Sequence, residues 1–203
     1  MDTARAVTAG TKGVPRAERE AQIVAAAIEE FGRHGYAGAS MAAIAARVGV
    51  TKPLIYQYFG SKDRLHIAAL EHVAGLLTPA ITRALNPGAG KLDVPLAVLE
   101  AIFTTLEGRR HAWFVLFDRT LPPDGELRRT ARYHRDIIDR LAASGSAELL
   151  RSRGIDDEVD ADALKHLWTG AVSSLVSWWN AHPEESAENM ARRCARLFAA
   201  VVG

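Results

Sequence analysis

Hydrogen-bonding side chains recur over one short stretch of the chain, between residues 51 and 62. The stretch supplies hydroxyl and ammonium donors, together with phenol rings, at spacings that place several of them on the outer face of a helix. The residues are Thr51, Lys52, Tyr56, Tyr58 and Lys62. Donors of these types suit phosphate oxygens and the edges of bases. The chemistry that the stretch predicts is therefore non-covalent binding of nucleic acid.

Two short helices joined by a tight turn must position these side chains. The apolar residues of the first helix fall at helical spacing, and they are Met41, Ile44, Ala45 and Val48. Ser40 is a suitable N-cap for that helix, and Gly49 supplies the turn because glycine accepts a positive φ without steric cost. Thr51 caps the second helix, whose first turn tolerates Pro53. Since Leu54, Ile55 and Phe59 then face inward, the pattern predicts a helix-turn-helix with its second helix in the recognition position.

The region from Arg16 to about Val73 resembles the N-terminal DNA-binding domain of the TetR family of transcriptional regulators. The segments that carry the resemblance are Gly35-Tyr36, Ile44-Ala45, Gly49-Val50-Thr51-Lys52, Ile55-Tyr56-Gln57-Tyr58-Phe59 and Ser61-Lys62-Asp63-Arg64-Leu65. The resemblance implies a homodimer that reads a palindromic operator, and a pocket for a small organic effector in the C-terminal helices. It implies no cofactor.

The resemblance also assigns roles to single side chains. It implies that Thr51 and Tyr56 lie at the groove, that Lys52 and Pro53 reach base edges, and that Tyr58 and Lys62 anchor phosphates. Ser40 and Arg47 complete the set of DNA-binding candidates, since they stand at the start and near the end of the first short helix. Two alternatives stay open: Tyr58 covers the surface of the long first helix, or Lys62 is only solvated. Ala42 and Ala43 depart from the family, in which polar side chains are common there.

Composition agrees with a folded chain of 203 residues, because 48% of them are apolar. No apolar run is long enough to span a membrane, and the N-terminus has no secretory apolar segment. Cys194 is the only cysteine, as is common in a reducing compartment. A cytoplasmic protein is therefore expected. Residues 1–66 hold nine Lys and Arg against six Asp and Glu, a net charge of +3. The remainder holds sixteen against eighteen, a net charge of −2. This asymmetry weakly favours DNA binding at the N-terminal end.

Loop-forming prolines and glycines, together with the extent of the predicted helices, divide the chain into three parts. Residues 1–15 are expected to form a flexible arm that either contacts DNA or is merely solvated. Residues 16–66 are expected to form the helix-turn-helix domain, and residues 67–203 are expected to form a ligand-binding and dimerisation domain. Helical periodicity continues throughout and predicts an all-α fold of about nine helices. Pro79 is expected to bend or end the fourth helix near Leu77. The seventh helix is expected to run from about Glu126 to Ala143; the alternative is that it resumes after Gly145.

The last two helices carry wide apolar stripes, which predict self-association. A stripe wider than one core face can bury a second face against a second copy, giving a four-helix interface. The interface candidates are Leu175, Trp178, Met190, Cys194, Leu197 and Phe198. The alternative is that both stripes serve the core of a monomer.

Aromatic residues in the C-terminal region are the candidates for lining an effector pocket. They are Phe103, His111, Phe114, Phe117, Tyr133 and Trp168, with Trp113, His134 and His166 as further candidates. His111 has no acidic or histidine partner at helical spacing, so no metal site is predicted. Enzymatic motifs for phosphate loops, nucleophilic serines, zinc or dinucleotides are not found. We therefore expect a ligand-responsive repressor; the alternatives are a regulator without an effector, an activator, or an adaptor acting through protein contacts.

Overall fold

The computed structural model describes residues 13–85 and 94–202, and within these ranges it contains nine α-helices and no strand. The helices are α1 (Arg16–Gly38), α2 (Met41–Val48), α3 (Lys52–Phe59), α4 (Lys62–Ala84), α5 (Val94–Leu106), α6 (Ala112–Leu116), α7 (Gly125–Arg151), α8 (Glu158–Ala181) and α9 (Ala187–Val202). The all-α prediction is confirmed. Residues 1–12 of the predicted flexible arm lie outside the described residues.

The N-terminal helices pack around a small core of their own. Ile23 and Phe31 of α1, Ile44 of α2, Ile55 of α3 and Leu65 of α4 are all completely buried. The turn between α2 and α3 follows the predicted geometry, since Gly49 has a φ of +73° and its N–H bonds back to carbonyls of α2. This core fixes the angle at which α3 is presented on the surface.

Helix α4 joins this N-terminal unit to the rest of the protein, because it packs against α1 on one side and against α5 and α7 on the other. Of the two outcomes expected at Pro79, a bend or an end of the helix, the end is wrong: α4 continues through Pro79 to Ala84. Leu77, Ala80 and Ile81 are buried on either side of the proline, and their packing holds the chain helical despite one missing hydrogen bond. Among the described helices, α4 alone is long and apolar enough to cross a bilayer, but 56% of that stretch is buried inside the protein.

The C-terminal helices form a second packed layer around α4. Helix α5 lies between α4 and α9, and α7 lies between α4 and α8. Helix α7 does not end near Ala143 as expected but runs on to Arg151. The glycine in its path, Gly145, sits where a Cβ would lie 3.1 Å from the Leu85 side chain, so its small size permits close packing of α7 against the end of α4.

Candidate functional site

The outer face of α3 presents a compact group of exposed side chains. Lys52, Pro53, Tyr56 and Gln57 line one shallow depression, and Thr51 is exposed beside them. The Lys52 ammonium lies 5.9 Å from the centre of the Tyr56 ring. Gln57, one turn after Pro53, lines the same depression but was not among the predicted DNA-binding residues. A glutamine amide carries the donor and acceptor that can pair with the N6 and N7 atoms of adenine.

Ser40 and Thr51 act as helix caps in the structure. The Ser40 hydroxyl oxygen accepts from the Ala43 N–H at 3.3 Å, and that of Thr51 accepts from the Leu54 N–H at 3.4 Å. Both residues remain exposed, and each hydroxyl hydrogen is still free to be donated outward. Capping and phosphate contact are therefore compatible for both side chains.

The other three DNA-binding candidates are tied into the protein to different degrees. Arg47 is exposed, with its guanidinium 3.9 Å from the buried carboxylate of Glu30. Tyr58 is half-buried, and the Arg16 guanidinium lies 5.1 Å above its ring, as in the alternative in which it covers α1. Lys62 is half-buried and donates to the Ala39 carbonyl at 2.8 Å, so its ammonium does not point outward as the helical spacing predicted. The carbonyl that it holds belongs to the turn that leads into α2.

A second group of polar contacts joins the N-terminal unit to the loop between α6 and α7. Asp118 accepts a hydrogen bond from the Tyr36 N–H at 2.6 Å, and the Thr120 hydroxyl oxygen accepts one from the Ala37 N–H at 3.1 Å. The Thr120 hydroxyl in turn donates to Asp118 at 2.7 Å. We call these four residues, Tyr36, Ala37, Asp118 and Thr120, the α1–α6 latch. Gly35 makes the close approach possible, since it has a φ of +66° and a Cβ there would lie 2.7 Å from the Thr120 oxygen.

Asp118 is the buried centre of the latch, whereas Ala37 and Thr120 lie at its exposed edge. Asp118 is 5% exposed, and His66, which is completely buried, places its Nε2 atom 3.6 Å from the Asp118 carboxylate. Burial alone would raise the pKa of Asp118, but contacts from His66, Thr120 and the Tyr36 backbone outweigh it and lower the pKa to about 2. Asp118 is therefore ionised at neutral pH, with its charge matched by surrounding donors.

The Tyr36 side chain carries the same contact network onward to the start of α4. Burial and a hydrogen bond to Asp63 raise the pKa of the Tyr36 phenol to about 12, and the Lys62 ammonium lies 4.7 Å from its ring. Because Lys62 also holds the Ala39 carbonyl, the network reaches the residue that precedes the Ser40 cap of α2.

A cavity of about 490 Å³ opens among α4, α5, α6, α7 and α8. Its walls are mainly aliphatic, with Phe117 and Trp168 from the predicted set and the further candidate Trp113. Its α7 wall comes from residues 138–152, most of which lie beyond the predicted end of that helix. Phe117 immediately precedes Asp118, so one wall of the cavity is covalently continuous with the latch.

Four of the predicted pocket residues do not line this cavity. Phe103 is buried against Trp179, with ring centres 5.3 Å apart, and His111 faces Glu29 of α1 at 3.7 Å. Phe114 is half-buried against the core, and Tyr133 is 61% exposed on the outer face of α7. These four residues lie on or next to the helices that form the cavity, but packing directs their side chains away from it. No group of three His, Cys, Asp or Glu side chains suited to a metal occurs among the described residues.

The outer faces of α8 and α9 expose apolar side chains in the single chain. Leu167 is 71% exposed, Leu197 55% and Trp178 40%, whereas Leu175 and Phe198 are half-buried. Met190 and Cys194, both 1% exposed, are packed inside the chain itself. These two are corrected to core residues, because a buried side chain offers no surface to a second copy. Leu167 was not among the predicted interface residues.

Comparison with known proteins places this geometry in context. Residues 23–69 match the family described as "Bacterial regulatory proteins, tetR family". The HTH-type transcriptional activator FasR of Mycolicibacterium smegmatis is 35% identical over 105 residues, which are 52% of this chain and 48% of that protein. The HTH-type transcriptional repressor SCO4008 of Streptomyces coelicolor is 48% identical over 68 residues, 34% of each chain. The chain thus matches about half or less of the length of these relatives.

The likeness to solved structures extends over nearly the whole fold. The crystal structure of AibR in complex with isovaleryl coenzyme A and operator DNA superposes with a TM-score of 0.70, covering 87% of this chain and 96% of that one. At 19% identity, the likeness concerns the fold: an N-terminal helix-turn-helix followed by a larger helical domain.

Proposed function

Because the chain is a member of the TetR family of bacterial regulatory proteins, we propose that it is a ligand-responsive transcriptional repressor that binds a palindromic operator as a homodimer. The single observation that carries this proposal is the exposed face of α3, where Lys52, Pro53, Tyr56 and Gln57 meet above a buried helix-turn-helix core. Recognition helices of this motif dock in the major groove.

The division of labour on this surface follows from exposure. Lys52, Tyr56 and Gln57 are the proposed readers of bases and nearby phosphates, since all three side chains are exposed on α3. Ser40, Thr51 and Arg47 are the proposed phosphate contacts at the helix ends, because their hydroxyl or guanidinium donors are exposed. Tyr58 and Lys62 act mainly as supports in this proposal, holding α3 against α1 and the α1–α2 turn in place.

A homodimer would give the protein two such surfaces. The exposed stripe on α8 and α9, with Leu167, Trp178 and Leu197, is the proposed contact between two copies. Contiguous exposed apolar surface is costly in water, and a two-fold interface removes it from both chains at once. Two recognition helices related by this two-fold axis would read two half-sites of a palindrome.

The α1–α6 latch supplies a route from ligand to DNA. A ligand in the cavity contacts the wall that contains Phe117, and the adjacent Asp118 holds the backbone of Tyr36 and Ala37. A shift of this wall would move the end of α1 and, through Tyr36 and Lys62, the start of α2. A ligand changes DNA affinity only if it binds the two arrangements with different affinity, so the latch is proposed as the element that differs between them.

Repression is the favoured outcome, since a dimer seated on an operator blocks access to the same DNA. The names of the relatives include both repression and activation: SCO4008 is named a repressor and FasR is named an activator. AibR is named as binding both isovaleryl coenzyme A and operator DNA, which supports a small organic effector here. We further propose that the protein works in the cytoplasm by binding alone, without a catalytic step.

The experiment is an operator-binding titration on the intergenic DNA adjacent to the gene, with shuffled DNA of equal length for comparison. Wild type should prefer the native fragment, and Tyr56→Ala should weaken that preference by about 1–3 kcal/mol. The matched control is Tyr133→Ala, which removes an exposed tyrosine from α7, far along the chain from α3. Equal affinity of the wild type for native and shuffled DNA would contradict the proposed function.

A further inference from the structure

The chemistry of the cavity walls restricts what the cavity can hold. We propose that it takes an uncharged, largely apolar molecule that presents one hydrogen-bond acceptor oxygen, such as a carbonyl, to the Nε1 donor of Trp113. This inference rests on the proposed function for its biological meaning, but the binding itself follows from the walls alone. A volume of about 490 Å³ lies within the range of roughly 300–1,000 Å³ typical of small-molecule sites.

The cavity has an inner end and an outer end, distinguished by burial. Its inner walls include Val98, Ile102 and Val172, each at most 5% exposed, together with Trp113 at 3%. Its outer rim includes Ser144 and Glu148, which are exposed. A bound molecule would therefore enter past Ser144 and Glu148 and reach Trp113 at the inner end.

Charge is nearly missing from these walls. Among the described residues that line the cavity, Glu148 is the one ionisable side chain; it lies at the rim and pairs with Arg151 at 2.9 Å. No lysine, arginine or histidine of the described chain lines the cavity. A carboxylate or phosphate carried to the inner end would lose its hydration without gaining a counter-charge, which is strongly unfavourable. The inner end therefore selects against anions.

Of the buried side-chain donors that lack a partner in the described chain, the Trp113 Nε1–H is the one that belongs to a residue lining the cavity. The Trp113 Nε1–H is buried without a hydrogen-bond partner in the protein, although its indole ring is well packed 4.6 Å from the Phe117 ring. Two of the four hydroxyls that line the cavity are already engaged: Thr169 donates to the Lys165 carbonyl and Ser152 to the Leu149 carbonyl. The other two, Ser144 and Ser146, lie on α7. An unsatisfied buried donor is costly, and a ligand oxygen would relieve that cost. Trp113 thus marks where the acceptor of the ligand belongs.

The test compares three probes with the same eight-carbon acyl chain: methyl octanoate, octanoate and octanoyl-coenzyme A. Binding to the full-length protein is measured by calorimetry at pH 8, without DNA. Methyl octanoate should bind at least about tenfold more tightly than octanoate, because only the ester brings an acceptor without a charge. Octanoyl-coenzyme A should bind only if its charged part stays outside the rim, and its binding should then depend on Trp113 as that of the ester does.

Trp113→Phe and Trp168→Phe form a matched pair of variants. Both residues line the cavity, but Trp168 is half-buried and is not among the buried donors without a partner. Trp113→Phe should weaken methyl octanoate binding about fivefold to tenfold, the effect of removing one neutral hydrogen bond, while Trp168→Phe should change it less than twofold. The urea midpoint of ligand-free Trp113→Phe should not fall below that of the wild type, since the deleted N–H had no partner and its burial was itself a cost.

Two results would overturn the inference: octanoate binding as tightly as its methyl ester, or Trp113→Phe and Trp168→Phe having equal effects. Tight octanoyl-coenzyme A binding that is unaffected by Trp113→Phe would place recognition outside the cavity and also overturn it. Operator binding by the ligand-free protein is measured separately. Loss of operator preference there would contradict the proposed function while leaving the probe series valid.

Discussion

Replacement of Asp118 by alanine tests whether the latch holds the N-terminal unit in place. The pKa of Asp118 falls from its ordinary 3.8 to about 2 in the folded protein, and a shift of this size corresponds to stability on the order of 2 kcal/mol at neutral pH. The variant also leaves the partly buried Tyr36 N–H and Thr120 N–H without their acceptor; a fully buried unpaired group costs about 1–3 kcal/mol, and a partly buried one costs less because water can reach it. These two figures overlap rather than add, so we expect a loss of about 2–4 kcal/mol.

Urea unfolding at pH 7 and fixed protein concentration measures this loss. Asp124→Ala is the matched control: it removes an acidic side chain from the same loop, but Asp124 is exposed and its side chain does not cap α7. The control should change the free energy of unfolding by less than about 0.5 kcal/mol. If Asp118→Ala behaved like Asp124→Ala, the latch would be a minor surface contact and the proposed route from cavity to DNA would lose its basis.

The pH dependence of the same measurement has a defined sign. Because the folded-state pKa of Asp118 lies below the unfolded value, its contribution is complete well above pH 3.8 and is lost as the pH falls toward about 2. The difference in stability between wild type and Asp118→Ala should therefore be constant from pH 7 down to about pH 5 and shrink below pH 4. A difference that stayed constant through pH 3 would assign the stabilisation to something other than the charge of Asp118.

Two further predictions concern the DNA surface and the interface. Lys52→Ala should reduce the slope of log affinity for the operator against log salt concentration by about one unit, because one phosphate is no longer neutralised, and it should not change stability. Lys62→Ala should instead lower the free energy of unfolding by about 1–2 kcal/mol, because the Lys62 Nζ donates to the Ala39 carbonyl. Salt titrations and urea unfolding of both variants check this contrast, and identical behaviour of the two would contradict it. Leu167→Glu should convert a dimer to a folded monomer near 22.0 kDa, because an interface rarely tolerates an unpaired buried charge. Sedimentation of the wild type as a monomer at micromolar concentration would remove the proposed interface.

Local features of the chain were predictable because their causes are local. The Ser40 and Thr51 caps and the Gly49 turn depend on hydrogen bonds and φ values within a few residues, and all three appear in the structure as predicted. The exposure of Lys52 and Tyr56 follows in the same way from helical spacing around the buried Ile55. The α3 surface was therefore largely predictable from sequence, apart from Gln57.

The apolar stripes of α8 and α9 show that residue spacing alone does not predict which side of a helix is buried. Sequence shows that such a helix has more than one apolar row, but not which row packs inward. In the structure Val172, Val176 and Trp179 are buried, while Leu167 and Trp178 face outward. Met190 and Cys194 are likewise core residues, because α5 packs against α9 and covers them. That choice depends on the neighbouring helices.

The cavity and the latch depend on contacts between residues distant in sequence. Tyr36 and Asp118 are 82 positions apart, and no periodicity relates them. Pro79 illustrates the same limit, since its local tendency to end a helix is overcome by packing on both sides. Sequence by itself determined where most helices lie, the caps at Ser40 and Thr51, and the residue types exposed on α3, because these follow from short-range hydrogen bonding and spacing. The tertiary structure alone decided which aromatics enclose a cavity and which carboxylate joins that cavity to α1, because both require helices to meet.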